Sequence, residues 1–363
     1  MSLKWYYLFT LFLLNSICYG QSNNQLTQIK LEAAKVMEKE NIPALSIGII
    51  TEGNSMTFIN LGYQDRSQQQ AVNEESIYQL ASLGKTFIGI ITHHLLVDNT
   101  IRLDQSITDF LPFEFSKKRQ QKLEKITIEH LLHHRSGFPQ DAKAGYRRKD
   151  GDAYHFNYAI ENLEQDLCKL RIKPGNNFQY SNFGYALLAF IMEQASDSTY
   201  DELLNKYLIE PYQLENTTMQ LSKNQQARLV TPYRKDNRLV ETKPWVMGKL
   251  APPSAAYSTT QDLTKLLQAH LKAYRKFADD KKITPLILTK NTKETWKNAS
   301  IEYGYGFFNW GNNTYGHGGD MDGYACDYSV SPEQNIGIIL LTSSGELWVS
   351  PLTIKINEIL KNP

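Results

Sequence analysis

The chain has 363 residues, with 39 lysines and arginines against 38 aspartates and glutamates, a formal net charge of +1. So even a balance offers no field for nucleic acid or another polyanion, and short basic clusters such as Lys117–Arg119 and Arg147–Lys149 read as solvated faces. The length allows a large core in one big or two interleaved lobes, and no repeat or low-complexity tract interrupts it.

In chain order, Lys4 precedes an apolar run from Trp5 to Leu14 that is too short for a membrane span. Cys18 and Gly20 then have the spacing of a signal-peptidase site, so residues 1–20 read as a leader and Gln21 as the mature start. The expected location is periplasmic or secreted, with no stable membrane span in the mature chain. An uncleaved anchor or a lipid-modified Cys18 is the alternative, the latter in a poor context at Asn15-Ser16-Ile17. Cleavage removes Lys4 and no acid. Cys168 and Cys326 remain, and both read as small buried side chains rather than an obligatory disulfide.

Leu26 to Glu40 has the spacing of an amphipathic helix, closed by Asn41-Ile42-Pro43. Leu45 to Ile50 and Met56 to Leu61 read as strands joined by a turn at Glu52 to Ser55. Helical periods follow at Ile126 to His134, Tyr158 to Leu170, Tyr185 to Gln194 and Asp262 to Ala273. Strands return at Gly304 to Asn309, Tyr324 to Val330 and Ile336 to Leu341, before a last helix near Leu352 to Leu360. This order predicts an α+β fold. An antiparallel sheet is built from residues 21–81 and 301–363 and flanked by helices; a mainly helical lobe over 82–300 is inserted, with a site in the cleft between.

Chemistry concentrates first at Ala81-Ser82-Leu83-Gly84-Lys85-Thr86-Phe87. It opens a run to Val97 that is apolar on nearly every side, as in a helix buried inside a domain. Ser82 stands at its start and Lys85 one turn on, on the same face. An ammonium there is costly unless partnered or discharged. The helix N-terminus offers an anion site beside the serine. Ser-x-x-Lys alone arises roughly once by chance in a chain this long, so its weight depends on the company it keeps. Tyr180-Ser181-Asn182 is the sole Tyr-x-Asn among 21 tyrosines, although a turn leading into a helix would explain it. Tyr315-Gly316-His317-Gly318-Gly319-Asp320 has the composition of a glycine-rich connector to the strand at Tyr324, or of a backbone surface that a substrate approaches closely.

In this order the three stretches resemble the motifs of the serine β-lactamase and penicillin-binding-protein superfamily: Ser-x-x-Lys, then Ser-Asp-Asn or Tyr-x-Asn, then Lys-Thr-Gly or a variant. The match is to the class C β-lactamase-like branch of serine hydrolases, with its D,D-peptidase, D-aminopeptidase and esterase relatives. Leu131-Leu132-His133-His134-Arg135-Ser136-Gly137-Phe138-Pro139, Pro174-Gly175 and Tyr257-Ser258-Thr259 are similar too, so the resemblance runs from about Ile42 to the last strand. It implies a β-lactamase/transpeptidase-like fold, a small-molecule or peptide substrate, and neither cofactor nor metal. By resemblance Ser82 is the nucleophile, Lys85 its proton acceptor and Tyr180 the phenol that shares acid–base work. Asn182, His317, Gly318, Gly319 and Asp320 would contact substrate, and the backbone N–H groups of Ser82 and Asp320 would hold the oxyanion. Lysine in an apolar cleft has a lowered pKa, which should favour the facing phenol as phenolate.

Departures from the pattern matter. His317 stands where β-lactamases of this branch carry lysine, and a neutral imidazole grips a carboxylate less reliably. Asp320 is acidic where the family is usually small or neutral, which suggests a preference for a free amino group. Ser254-Ala255-Ala256 replaces a glycine pair. His130 and His134, four apart, lack the glutamate of a zinc helix and read as structural, as do His93 and His94. No Gly-x-Ser-x-Gly elbow is present. The expectation is an exported serine hydrolase forming an acyl-Ser82 intermediate on an amide or ester, with D-amino-acid or peptidoglycan-related peptides first. A class C-like β-lactamase or an esterase is the alternative. From another class, a penicillin-binding sensor or pseudoenzyme without turnover remains open.

Overall fold

A computed structural model describes residues 24–51, 55–67, 70–142, 158–168, 174–175, 177–279, 292–296, 299–346 and 348–362. The expected leader 1–20, the start at Gln21 and most of the turn at 52–55 lie outside the described residues. The strands are β1 (Ala44–Ile50), β2 (Met56–Asp65), β3 (Gln70–Ala71), β4 (Ile77–Gln79), β5 (Tyr257–Thr259), β6 (Thr292–Trp296), β7 (Ala299–Gly304), β8 (Phe307–Asn309), β9 (Tyr315–Met321), β10 (Tyr324–Ser331) and β11 (Ile336–Thr342). Nine of them form one antiparallel sheet in the order β3-β2-β1-β11-β10-β9-β8-β7-β6, while β4 pairs with β5 alone. The helices that matter here are α1 (residues 24–40), α2 (Gly84–Val97), α3 (Ile128–Leu132), α4 (Ile160–Leu167), α5 (Asn182–Ser196), α6 (Thr260–Asp279) and α7 (Val349–Lys361).

The two-residue period of a strand sorts the central side chains into two layers. Leu45, Ile47 and Ile49 of β1 and Ile338 and Leu340 of β11 face one cluster with Ile29 and Ala33 of α1 and Leu352 and Ile356 of α7. Ile339 and Leu341 face the other layer, with Leu263, Leu266 and Leu267 of α6. Both strands are buried along their full length, hence their near-continuous apolar sequence. At Gly48 a Cβ would stand 2.1 Å from Thr264 Oγ1, so α6 rests directly on β1.

The expected α+β architecture is present, with three local differences. Tyr315–Met321 is not a connector but an inner strand, paired with β10 from Tyr315↔Val330 to Met321↔Tyr324. Its glycines keep it flat against neighbours: a Cβ on Gly316 would come 2.0 Å from Tyr328 O. The expected strand Gly304 to Asn309 is broken by a turn at Tyr305 and Gly306, with φ of +50° and +84°, because that backbone lies against α2. A Cβ on Gly306 would meet Lys85 O at 2.3 Å, and one on Gly89 would meet Tyr305 O at 1.8 Å. Thirdly, the sheet layer starts well before residue 301, since β6 joins β7 through Thr292↔Tyr303 and α6 covers a sheet face.

Cys326 is buried as expected; Cys168 is exposed, and both are free thiols. α4 ends at Leu167, so Cys168 caps the helix instead of lying within it. Among the described residues no helix is long and apolar enough to cross a membrane.

The Tyr305–Gly306 turn pressed on α2 gives a test with a reversed sign. In an exposed helix Gly→Ala stabilises, by about 1 kcal/mol. Gly89→Ala is instead expected to destabilise by about 1–3 kcal/mol through overpacking, read as a lower urea midpoint at unchanged slope. A raised midpoint would show that the turn does not bear on the helix.

Candidate active site

Ser82 lies in the short 3₁₀ turn Ala81–Leu83 that precedes α2. Ala81 has φ of +46°, a left-handed conformation that a non-glycine residue adopts only when its surroundings impose it. The surroundings are specific. Leu80 N–H donates to Ala256 O at 2.8 Å, and the Cys326 thiol donates to Leu80 O at 3.1 Å. β9 lies on the turn so closely that a Cβ on Gly319 would be 2.4 Å from Leu80 O and 3.0 Å from Ala81 Cβ. The third motif is thus fixed against the first by the absence of a side chain.

Lys85 is fully buried at the start of α2. Its Nζ donates to Ser82 Oγ at 2.9 Å and lies 3.4 Å from Pro253 O. Burial pushes the amine down to about 7, opposed in part by the charge of Asp141. Near neutral pH much of the lysine is therefore a free base touching a hydroxyl.

Tyr180 completes the group. Lys85 Nζ sits 5.0 Å from its ring centroid, its hydroxyl faces Ser82, which acts to lower its pKa, and its Oη is 3.5 Å from His317 Nε2. Burial raises the Tyr180 pKa above its usual value, and Ser82 only partly opposes this. The expected phenolate is thus not what the site favours: burial outweighs a lysine that is itself only partly charged near neutral pH. Tyr180 is a neutral phenol with a proton to give. His317 is buried, its Nδ1 2.5 Å from Gly318 O, and burial followed by the charge of Lys85 lowers it to about 3. His317 is therefore an uncharged imidazole near neutral pH.

α5 begins at Asn182, capped by Ser181, whose Oγ accepts from Gly184 N–H at 2.8 Å and donates to Pro139 O at 2.6 Å. The cap leaves Tyr180 just outside the helix, facing the start of α2. Asn182 Nδ2 donates to Asp141 Oδ1 at 2.7 Å, while its buried Oδ1 has no hydrogen-bond partner among the described residues. Gly318 and Gly319 follow His317 along β9, and the Asp320 carboxylate lies 3.8 Å from Lys235 Nζ on partly exposed ground. Asp141, the carboxylate that acts on Lys85, was not among the expected residues; nothing in its local sequence marks it. His130 lies elsewhere, its Nδ1 accepting from Thr127 N–H at 3.1 Å at the start of α3. His94 stacks on Tyr207 with centroids 5.0 Å apart. Beyond the Pro252 loop lies a cavity of about 870 Å³, lined by Tyr158, Phe190, Tyr200 and Trp245 but by none of the residues above.

A base near 7 fixes the sign of a pH dependence. Protonated Lys85 cannot accept the Ser82 proton, so the rate of Ser82 acylation is expected to fall tenfold per pH unit below about 7 and to level off above it. A rate independent of pH between about 5 and 9 would contradict the assignment of the base. Lys85→Ala is expected to lower the acylation rate by about 10²–10⁴.

Comparison with known proteins supplies the family. A family model described as "Beta-lactamase" matches residues 31–350. The protein Flp of Staphylococcus aureus strain MW2 is 25% identical over 345 residues, covering 94% of this chain and 68% of that protein. A β-lactamase of Providencia stuartii is 22% identical over 244 residues, 66% of this chain and 58% of its own. The octameric penicillin-binding protein homologue from Pyrococcus abyssi superposes with a TM-score of 0.76 at 22% identity, covering 93% of this chain and 77% of the other. A class C β-lactamase mutant gives 0.77 at 16% identity, with 93% and 97% coverage, so the two solved structures speak for the fold. With the match spanning nearly all of the described residues, the chain belongs to the β-lactamase family of the β-lactamase and penicillin-binding-protein fold.

Proposed function

We propose that this chain is an exported serine hydrolase that cleaves an amide or ester through an acyl-Ser82 intermediate. The observation that carries the reading is the 2.9 Å contact between the Ser82 hydroxyl and a buried Lys85 whose pKa burial lowers to about 7. Ser82 Oγ attacks the carbonyl carbon as its proton passes to Lys85 Nζ, and the carbonyl electron pair moves onto oxygen. The backbone N–H groups of Ser82 and Asp320 receive that oxyanion. Tyr180 gives its proton to the departing nitrogen or oxygen and regains one from the Lys85 ammonium, leaving the acyl-enzyme and a neutral leaving group. Water then repeats the sequence in reverse. Asn182, through its unpartnered Oδ1, and the β9 backbone at His317 to Gly319 hold the substrate.

The motif resemblance to serine β-lactamases and penicillin-binding proteins, a family analogy, puts D-amino-acid and peptidoglycan-type peptides first in the substrate class. The neutral His317 favours substrates without a carboxylate beside the scissile bond, which keeps an esterase close behind and sets β-lactam hydrolysis lower. Asp320 is the group that would read a free amine. Lys235 already competes for it, so the preference is expected to be small.

The test is intact-mass analysis of wild type and Ser82→Ala after exposure to a fluorophosphonate, a penicillin and a chromogenic ester, alongside turnover of D-amino-acid amides and muropeptides. Label on wild type that is absent from Ser82→Ala, with turnover of an amide or ester, is the expected result. A penicillin adduct that persists without turnover points to a penicillin-binding sensor, and absence of Ser82-dependent label removes the hydrolase. His317→Lys is expected to shift preference about tenfold toward carboxylate-bearing substrates, the order of one charge-assisted hydrogen bond. An unchanged ratio of free to blocked N-termini in Asp320→Ala would remove the amine-reading role.

A further inference from the structure

Tyr180 must hold its hydroxyl between Ser82 and the leaving group, yet it lies on a loop before α5 rather than on a helix or strand. What fixes it is His134, a fully buried residue with φ of +55° just after α3. His134 O accepts from Gln179 N–H at 2.7 Å, and His134 Nδ1 accepts from Ser181 N–H at 3.0 Å, so the residues on both sides of Tyr180 are bonded to this one residue. Its ring lies against the Tyr180 ring with centroids 4.5 Å apart, and against Tyr185 and Tyr303 at 4.7 and 4.8 Å.

The hydrogen bonds have only one consistent direction. A backbone N–H can only donate, so Nδ1 is unprotonated and the ring proton is on Nε2. Nε2–H then donates to Tyr303 Oη at 3.2 Å, Tyr303 donates to Tyr185 Oη at 3.0 Å, and Tyr185 donates to Leu132 O at 2.8 Å. Each donor has an acceptor and the chain ends on a main-chain carbonyl. A second proton on the ring would break the bond to Ser181, so the imidazole is held neutral and in one tautomer. Tyr303 belongs to β7, immediately before the turn that packs on Lys85, so the chain also ties the phenol's loop to the lysine's helix.

We infer that His134 is the positioning residue for Tyr180, keeping the phenol in reach of Ser82 through a tautomer set by Ser181 and Tyr303. The inference rests on the acyl-serine reading above. The experiment uses the full chain and the ester or amide that wild type turns over fastest, with folding checked by circular dichroism and melting. His134→Phe keeps a ring and removes both side-chain bonds. It is expected to lower kcat by about 10²-fold while KM stays within about threefold, because the phenol acts only once the bond is breaking. His134→Asn, whose amide oxygen reaches the Nδ1 position and which tolerates positive φ, is expected to recover about tenfold of that loss. Tyr303→Phe removes the acceptor of the Nε2 proton, and with it the donor to Tyr185, while leaving the Ser181 bond to His134 intact; it covers the case in which His134→Phe does not fold. Its kcat is expected to drop by about tenfold with KM again held within about threefold. Unchanged kcat in a folded His134→Phe or in Tyr303→Phe, or equal losses in the Phe and Asn variants, would overturn the inference alone. Wild type without Ser82-dependent turnover would overturn it together with the hydrolase.

Discussion

The arrangement depends on one amine being taken out of water without an acid to meet it. Lys85 is fully buried and its Nζ meets a hydroxyl and a carbonyl, while Asp141 acts on it as a charge without forming an ion pair. A charged ammonium in that position would be destabilised by desolvation; giving up its proton relieves the penalty and creates a base. Phe87 to Ile91, apolar on all sides, draw the helix into the core, and Lys85 goes with it. Hydrophobic burial and proton acceptance are the same event seen from two residues.

Placement of the other parts follows from close backbone approaches. Gly319 lets β9 lie on the turn that bears Ser82, and Gly306 and Gly89 let the β7–β8 turn lie on α2. Side chains at those points would separate the sheet from the helical layer. Ala81 is held in a left-handed conformation at the meeting point, the kind of local strain that tight surroundings maintain at reactive groups. The charges at the cleft are few: His317 and Tyr180 are neutral, Lys85 titrates near neutrality, Asp141 is bonded to Asn182, and Lys235 is engaged with Asp320.

Much of this was legible in the sequence because it is local. Ser82 and Lys85 share one helical turn, and Ser181 capping α5 just after Tyr180 announces itself through turn and cap chemistry. Less legible was whatever needs two distant segments. The strand character of Tyr315–Met321 is hidden because its glycines answer to Leu80, Ala81 and Tyr328 rather than to strand propensity. The break at Tyr305–Gly306 answers to Lys85 in the same way. Asp141 and the chain from His134 to Tyr303 join residues far apart along the polymer, and among 21 tyrosines no pattern singles out Tyr303. The state of Tyr180 was misjudged for a related reason: its burial is a property of the assembled cleft, whereas its proximity to a lysine could be inferred from motif order.

The most direct measurement is a titration of Lys85 itself, following its side-chain ε-carbon by NMR in protein carrying isotope-labelled lysine, with Lys85→Arg to assign the signal. A midpoint near 7 is expected, against the ordinary 10.5. A midpoint at or above the ordinary value would mean that the amine is solvated or ion-paired, and that the serine has no base beside it.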